Sequence, residues 1–212
     1  SDAFEQSDSG QSLVDMMELD LIVGSGGVLS HAPRREQSAK MLIDSFLPEG
    51  ITSLAVDSIF MMPQLGVMAN IDKKSIAEEA RVAALEVFEK DCLIRLGTCV
   101  APVGSMSKSE VPLKINLEFK NGEKKSIDLQ SGELIRIEVG YEEVKAELIP
   151  AKGINVGAGK GEKIDTIIFG GQVGLIFDGR GRPLDVGSGS NERISNLKKW
   201  ASALNEYPEL KE

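Results

Sequence analysis

The chain has 212 residues, of which 42% are hydrophobic and 27% are charged, an ordinary composition for a globular protein with a substantial core. Its net charge of −9 opposes long-range attraction to nucleic acids or anionic membranes, so we expect neither as a partner. Two cysteines without a C-x-x-C spacing and a single histidine give no support for a disulfide framework or a metal site. The N-terminus lacks a targeting pattern and no apolar stretch is long enough to span a membrane, which predicts a cytoplasmic location.

The beginning of the chain carries little that could be buried. Residues 1–12 are therefore predicted to form a flexible leader. Because the chain begins with serine and not with methionine, we expect it to be a piece of a longer protein.

The most informative stretch is Leu19–His31, where a short apolar run leads into a turn with three glycines in four positions and then into a helical pattern. Glycines let a ligand approach the backbone, and N–H groups at a helix start attract anions, so the turn suits phosphate or nucleoside binding. It matches neither G-x-G-x-x-G nor a Walker loop, and a turn that serves only close packing is an equally good interpretation. The candidate binding residues are Gly24, Ser25, Gly26 and Gly27.

Residues 22–33, I-V-G-S-G-G-V-L-S-H-A-P, resemble the adenosine loop of the actin, Hsp70 and sugar-kinase superfamily. In this wording they resemble the MutL (GlmL) family, accessory proteins of adenosylcobalamin-dependent glutamate mutase and related aminomutases, which is unrelated to the mismatch-repair protein of the same name. Residues 60–67, 91–97 and 170–184 agree, so the resemblance extends from about residue 11 to about residue 200. The family usually has alanine where this chain has Gly179.

This resemblance implies an ATP-linked reactivating or chaperone-like accessory protein whose partners are the subunits of a cobalamin-dependent aminomutase. It further implies that Gly24–Gly27 face the adenosine of a nucleotide and that Asp57 is a weaker nucleotide-binding candidate. ATP or ADP would be held by the full-length protein, and we expect none to be held tightly by this chain alone.

The phosphate side of such a site is not recognisable in the sequence. Residues 8–12, D-S-G-Q-S, only echo the D-x-G-x-T phosphate turn of the superfamily, because no hydrophobic strand precedes them. The chain is then at most a partial ATPase, and no catalytic residue is assigned since no Ser-His-Asp set, catalytic carboxylate pair or metal cluster can be named. The alternative function is a scaffold that docks mutase subunits and keeps the glycine loop for packing. The sequence leaves a homo-oligomer open.

The remaining front half alternates predicted helices and strands. Apolar residues at helical spacing predict a helix over 35–46 and a second helix over 75–90, which starts with a capping box. Between them, a short apolar run predicts a strand over 51–57. Asp57, at the exit of its strand, is either a catalytic carboxylate or, as we favour, an acceptor for backbone N–H groups of the next turn. The methionine-rich residues 60–68 are predicted to fill the core, with a partner contact as the alternative. A strand over 93–100 and a polar linker over 102–110 complete this half.

The back half changes to a period of two. Alternation over 113–119 that ends in Asn121-Gly122 predicts a hairpin with 125–129, and several more short strands follow. Two glycine-rich stretches, 157–161 and 178–183, are predicted to be turns, although their basic residues leave an anion contact as an alternative. A last helix after Asn191 is predicted to pack through a face shared by its periodic apolar residues. These are Ile194, Leu197, Ala201 and Leu204.

Together these patterns predict an α+β fold. We expect an N-terminal α/β part of an actin-like ATPase domain over 13–110, a small antiparallel β-barrel or sandwich over 111–187, and a C-terminal helix over 188–212 that packs back on the body.

Overall fold

The computed structural model describes residues 14–70, 76–105 and 111–207. A 3₁₀ turn, Met16–Glu18, precedes the first strand. A π-helical turn, Phe88–Cys92, directly follows the helix Ala77–Val87. The elements of the front half are β1 (Leu21–Gly24), α1 (Gly27–Ser30), α2 (Arg35–Phe46), β2 (Gly50–Asp57), α3 (Met62–Ala69), α4 (Ala77–Val87) and β3 (Leu93–Ala101). Those of the back half are β4 (Val103–Gly104), β5 (Leu113–Glu118), β6 (Lys124–Leu129), β7 (Leu134–Ile137), β8 (Glu143–Pro150), β9 (Ile154–Asn155), β10 (Ile164–Phe169), β11 (Gly174–Asp178) and α5 (Ser190–Ala203).

The strands form two main sheets. The first has the order β1-β2-β3-β11-β7, in which β1 is parallel to β2 and β3 to β11, while the other neighbours are antiparallel. The second is antiparallel, with the order β10-β8-β5-β6, and β4 pairs with β9 in a small ribbon. The α+β class is therefore confirmed.

The barrel alternative is wrong for the described strands, which close no barrel. All five residues of β11 are buried, and a strand covered on both faces needs a central position. It obtains one between β3 and β7 in the first sheet, so two of the predicted back-half strands leave the hairpin sheet. β3 and β11 approach each other so closely that a Cβ added at Gly97 would lie 1.8 Å from the carbonyl oxygen of Gly174.

The first sheet has a hydrophobic core on each face. On one face α2 and α5 cover it, with Leu42, Ile43 and Trp200 among the buried side chains. On the other face the second sheet packs against it, and Phe177 and Leu175 meet Ile115 and Leu148 in a common core. The arrangement is a helix layer, a mixed sheet and an antiparallel sheet. None of the helices in the described ranges is long and apolar enough to cross a membrane.

Most local predictions agree with these elements. The helix over 35–46, the strand over 51–57 and the strand over 93–100 are confirmed, the first with identical bounds. The hairpin is also confirmed, with Gly122 at a φ of 84° in its turn. The turn at 157–161 is confirmed as well, since the amides of Gly157 and Gly159 both donate to the Asn155 side chain.

Two packing predictions are wrong in part. Of residues 60–68, Leu65 is buried, whereas Phe60 is 48% and Val67 75% exposed. Of the face predicted for the last helix, Leu204 is buried as expected, together with the neighbouring Trp200, whereas Ile194 and Leu197 are exposed. Apolar periodicity identifies a helix but not the part of it that tertiary contacts cover. Ser75, the expected cap of the second helix, lies outside the described residues.

Asp178 is a fully buried carboxylate at the end of β11, and two arginines neutralise it. Arg180 donates from Nε and Nη2 to its two oxygens, both at 2.8 Å, and Arg182 donates from Nη2 at 3.0 Å. Burial opposes the charged form, but the hydrogen bonds and charges of these arginines outweigh it and hold the pKa of Asp178 below its ordinary value. The prediction of a structural turn at 178–183 is confirmed.

The same arginines connect three other parts of the chain. Arg180 pairs with Asp44 of α2 at 2.9 Å, and its guanidinium lies 5.0 Å from the centre of the Trp200 ring of α5. Arg182 donates to the carbonyl oxygen of Pro48, just before β2. This buried cluster therefore ties the end of β11 to both covering helices and to the start of β2.

We predict that Asp178→Asn lowers the free energy of unfolding at pH 7 by about 3–5 kcal/mol, because it removes the fully buried counter-charge of Arg180 and leaves this arginine only the partly exposed Asp44. A carboxylate with a depressed folded-state pKa stabilises the fold above about pH 4, and this contribution is lost as the pH falls through the folded-state pKa. Urea unfolding from pH 7 to pH 3 should therefore show a smaller acid-induced loss for the variant than for the wild type. Asp128→Asn, at an exposed site on β6, is the control and should stay within about 0.5 kcal/mol at pH 7. Equal stability of the two variants would contradict the prediction.

Candidate functional site

The five predicted binding residues lie at one edge of the first sheet. Because β1 and β2 are parallel, their carboxyl ends meet there, with Gly24–Gly27 after β1 and Asp57 at the end of β2. Ser25 Oγ donates to Asp57 Oδ2 at 3.2 Å. The structure thus brings the glycine loop and the aspartate into direct contact, and crevices at carboxyl strand ends are common ligand sites in α/β folds.

The glycines of the loop have two different roles. Gly24 is buried, and a Cβ added there would lie 2.8 Å from Leu29 Cδ1 and 3.0 Å from Leu42 Cδ2, so this position serves close packing. A Cβ on Gly26 or Gly27 would meet nothing within 4 Å, and Gly26 has a φ of 104° that favours glycine. The backbone at these two residues is therefore open to a ligand.

Asp57 is fully buried and connects the glycine loop to α3. Its carboxylate accepts from the amides of Met61 at 3.1 Å and Met62 at 2.8 Å, in addition to Ser25. Desolvation raises the pKa of Asp57, but these hydrogen bonds outweigh it and hold the pKa below its ordinary value. The capping interpretation of Asp57 is confirmed, and the charge it brings to the edge is negative.

Hydroxyl groups fix the loop to its surroundings. Ser30 Oγ donates to the backbone carbonyl of Asp57, and Ser38 Oγ donates to the carbonyl of Leu29 at 2.8 Å. Both serines are buried, and no sequence pattern marked them. Ser38 lies beside Ala39 and Leu42 of the apolar face of α2. A serine in such a position is the sequence signal that could have indicated a buried hydroxyl.

A second feature missed from the sequence lies nearby. A shallow cleft of about 420 Å³ is lined by residues 32–36 and Gln172. The Nε of Arg34 is buried there without a hydrogen-bond partner, whereas Arg35 donates to the carbonyl of Ser30. Gln172 comes from a distant part of the chain, so no local motif could have placed it here.

The family model described as MutL protein matches residues 6–91. This segment is therefore similar to the MutL family. The MutL match covers less than half of the chain but includes the glycine loop, Asp57 and the described parts of α3 and α4. The family predicted from the sequence is therefore confirmed. No curated protein and no solved structure matches the chain.

We predict that Asp57→Asn loosens the start of α3. The NH₂ group that replaces one carboxylate oxygen cannot accept a hydrogen bond, so one of the two amides, Met61 or Met62, loses its partner at a cost of about 1–2 kcal/mol. Hydrogen exchange at Met61 and Met62 should become about tenfold faster. Ser25→Ala is the matched control, because it removes a hydrogen bond to the same carboxylate and leaves both amides bonded. Faster exchange of these amides in Ser25→Ala than in Asp57→Asn would refute the capping role.

Proposed function

We propose that this chain is the adenosine-side part of an ATP-linked accessory protein that reactivates an adenosylcobalamin-dependent glutamate mutase, and that its α/β part has an actin-like ATPase fold. The match of residues 6–91 to the MutL family model supports the association with glutamate mutase. The nucleotide part of the proposal depends on one observation: the open backbone of Gly26 and Gly27 lies beside the buried Asp57 at a carboxyl strand edge.

The charges of this edge favour the nucleoside over the phosphates. Residues 24–30 contain no lysine or arginine. Asp57 has only uncharged hydrogen-bond partners among the described residues, so its negative charge would repel a triphosphate placed against it. An uncharged adenosine suits the loop better, and the triphosphate contacts then belong to another part of the full-length protein.

The connection through Asp57 supports a nucleotide-dependent change of state. A ligand that moves Ser25 alters a hydrogen bond to the carboxylate that also holds the start of α3. Ligands change such an equilibrium only through different contacts in the two states, and this shared carboxylate would supply the difference.

A scaffold without nucleotide binding is the second candidate function. It is favoured by the exposed apolar side chains of α3 and α4, which give the segment a surface suited to another protein. The two functions differ in whether a change at Gly27 has any consequence for ligand binding.

We predict that Gly27→Val weakens ADP binding at least tenfold, because the new side chain would occupy the open space above the loop backbone. Saturation-transfer NMR detects weak binding, and adenosine should compete with ADP whereas inorganic phosphate should not. Gly189→Val is the matched control, since a Cβ at this glycine, just before α5, also meets nothing within 4 Å and has no strained φ. Equal ADP binding by the two variants, or no binding by the wild type, would refute the nucleotide role and favour the scaffold.

A further inference from the structure

Helices α3 and α4, together with the residues just before each of them, expose an unusual number of large hydrophobic side chains. Eight of the sixteen such residues in the described chain fall between positions 59 and 87. We call these eight the hairpin surface, after the helical hairpin that α3 and α4 form and not the β-hairpin of β5 and β6. They are Ile59, Phe60, Val67, Met68, Ile76, Val82, Leu85 and Val87.

The two helices bury little in return. They share a small core of Leu65, Ala84 and Cys92, separate from the two cores of the first sheet, and Ala80 of α4 is buried as well. On α4, Val82 and Leu85 lie three residues apart and so face the same direction, with exposures of 46% and 56%. A concentration of exposed large hydrophobic side chains on one pair of helices is typical of a binding surface.

The charges on α4 and on the turn that follows it are mainly acidic. Between positions 77 and 92 there are five acidic residues and two basic ones, and Arg81 and Lys90 are already paired with Glu78 and Glu86. No ion pair involves the other three acidic residues within the described part of the chain. These are Glu79, Glu89 and Asp91.

We propose that the hairpin surface docks a protein partner whose contact area is apolar and edged by lysine and arginine. Acidic residues beside the apolar ones favour such a partner and oppose an anionic membrane. A second copy of the chain fits less well, because a two-fold interface would bring the same acidic segment from both copies together.

The identity of the partner rests on the proposed function, under which it is a subunit of glutamate mutase, but the chemistry of the surface does not. The surface is also connected to the glycine loop, because Asp57 accepts from the first amides of α3 and from Ser25. Docking and nucleotide binding would therefore influence each other through one carboxylate.

The test compares two matched double variants. Val82→Glu with Leu85→Glu places two charges on the hairpin surface, and Ile194→Glu with Leu197→Glu does the same on α5. The second pair has the same three-residue spacing and exposures of 53% and 46%. Because all four side chains are exposed, circular dichroism and thermal melting should show both variants folded.

Two probes separate the surface from the identity of its partner. The first is an amphipathic helical peptide of leucine and lysine, with a leucine and glutamate peptide of the same pattern as its counterpart. We expect the wild type and the α5 variant to bind the lysine peptide, with binding that weakens as salt increases, and the hairpin variant to bind at least tenfold more weakly. The glutamate peptide should not bind.

The second probe is the set of purified glutamate mutase subunits, measured by biolayer interferometry. The same order of affinities is expected for the wild type and the two double variants. If the wild type bound the lysine peptide but not the mutase subunits, the result would contradict the proposed function and not the proposed docking surface. The proposal would be overturned if both double variants bound the lysine peptide equally, or if the wild type did not bind it. It would also be overturned if the wild type bound phosphatidylglycerol vesicles, or if it formed a dimer that only the hairpin variant dissociates.

Discussion

A carboxylate that is removed from water must be neutralised or hydrogen-bonded, and two strands of the first sheet end on such a group. β2 ends at Asp57 and β11 at Asp178, and because these strands run in opposite directions the two aspartates lie at opposite edges. Asp178 is held by two arginines that also contact both covering helices and the start of β2. Asp57 is held by two backbone amides and a hydroxyl. One edge is thereby fixed by buried ion pairs, and the other by hydrogen bonds from uncharged donors to a single carboxylate.

The different partners of the two aspartates indicate where the protein could change conformation. Separating the arginines from Asp178 would leave charges buried, which costs several kcal/mol. Exchanging the Ser25 hydroxyl at Asp57 for a ligand group costs about one hydrogen bond. The proposed nucleotide edge is therefore also the edge at which rearrangement is least expensive. Linkage requires that any effect of a nucleotide on partner docking is matched by an equal effect of the partner on nucleotide affinity.

Local signals in the sequence predicted local structure well. The helix Arg35–Phe46 and the Asn121-Gly122 hairpin follow from spacing and turn chemistry within a few residues. The site was predictable in part, because the meeting of Gly24–Gly27 with Asp57 follows once two consecutive strands are parallel. The position of β11 between β3 and β7 was not predictable, since it depends on pairing with strands far away in the chain. Likewise Phe60 and Val67 are apolar in any context, and only the tertiary structure shows that nothing in the described chain covers them.

The second sheet provides an internal comparison for the hairpin surface. Its outer face carries ion pairs between neighbouring strands, in which Glu118 contacts Lys124 and Lys145, and Glu147 contacts Lys163. Apart from the edge strand β10, where Ile167 and Phe169 are exposed, this face is polar, as expected for a surface that meets only water. Because the same chain can cover a solvent face with paired charges, the apolar side chains of α3 and α4 are not a general property of its surface. They lie in the segment that matches the MutL family, and Asp57 connects the start of α3 to the glycine loop, which favours a binding role over incidental exposure.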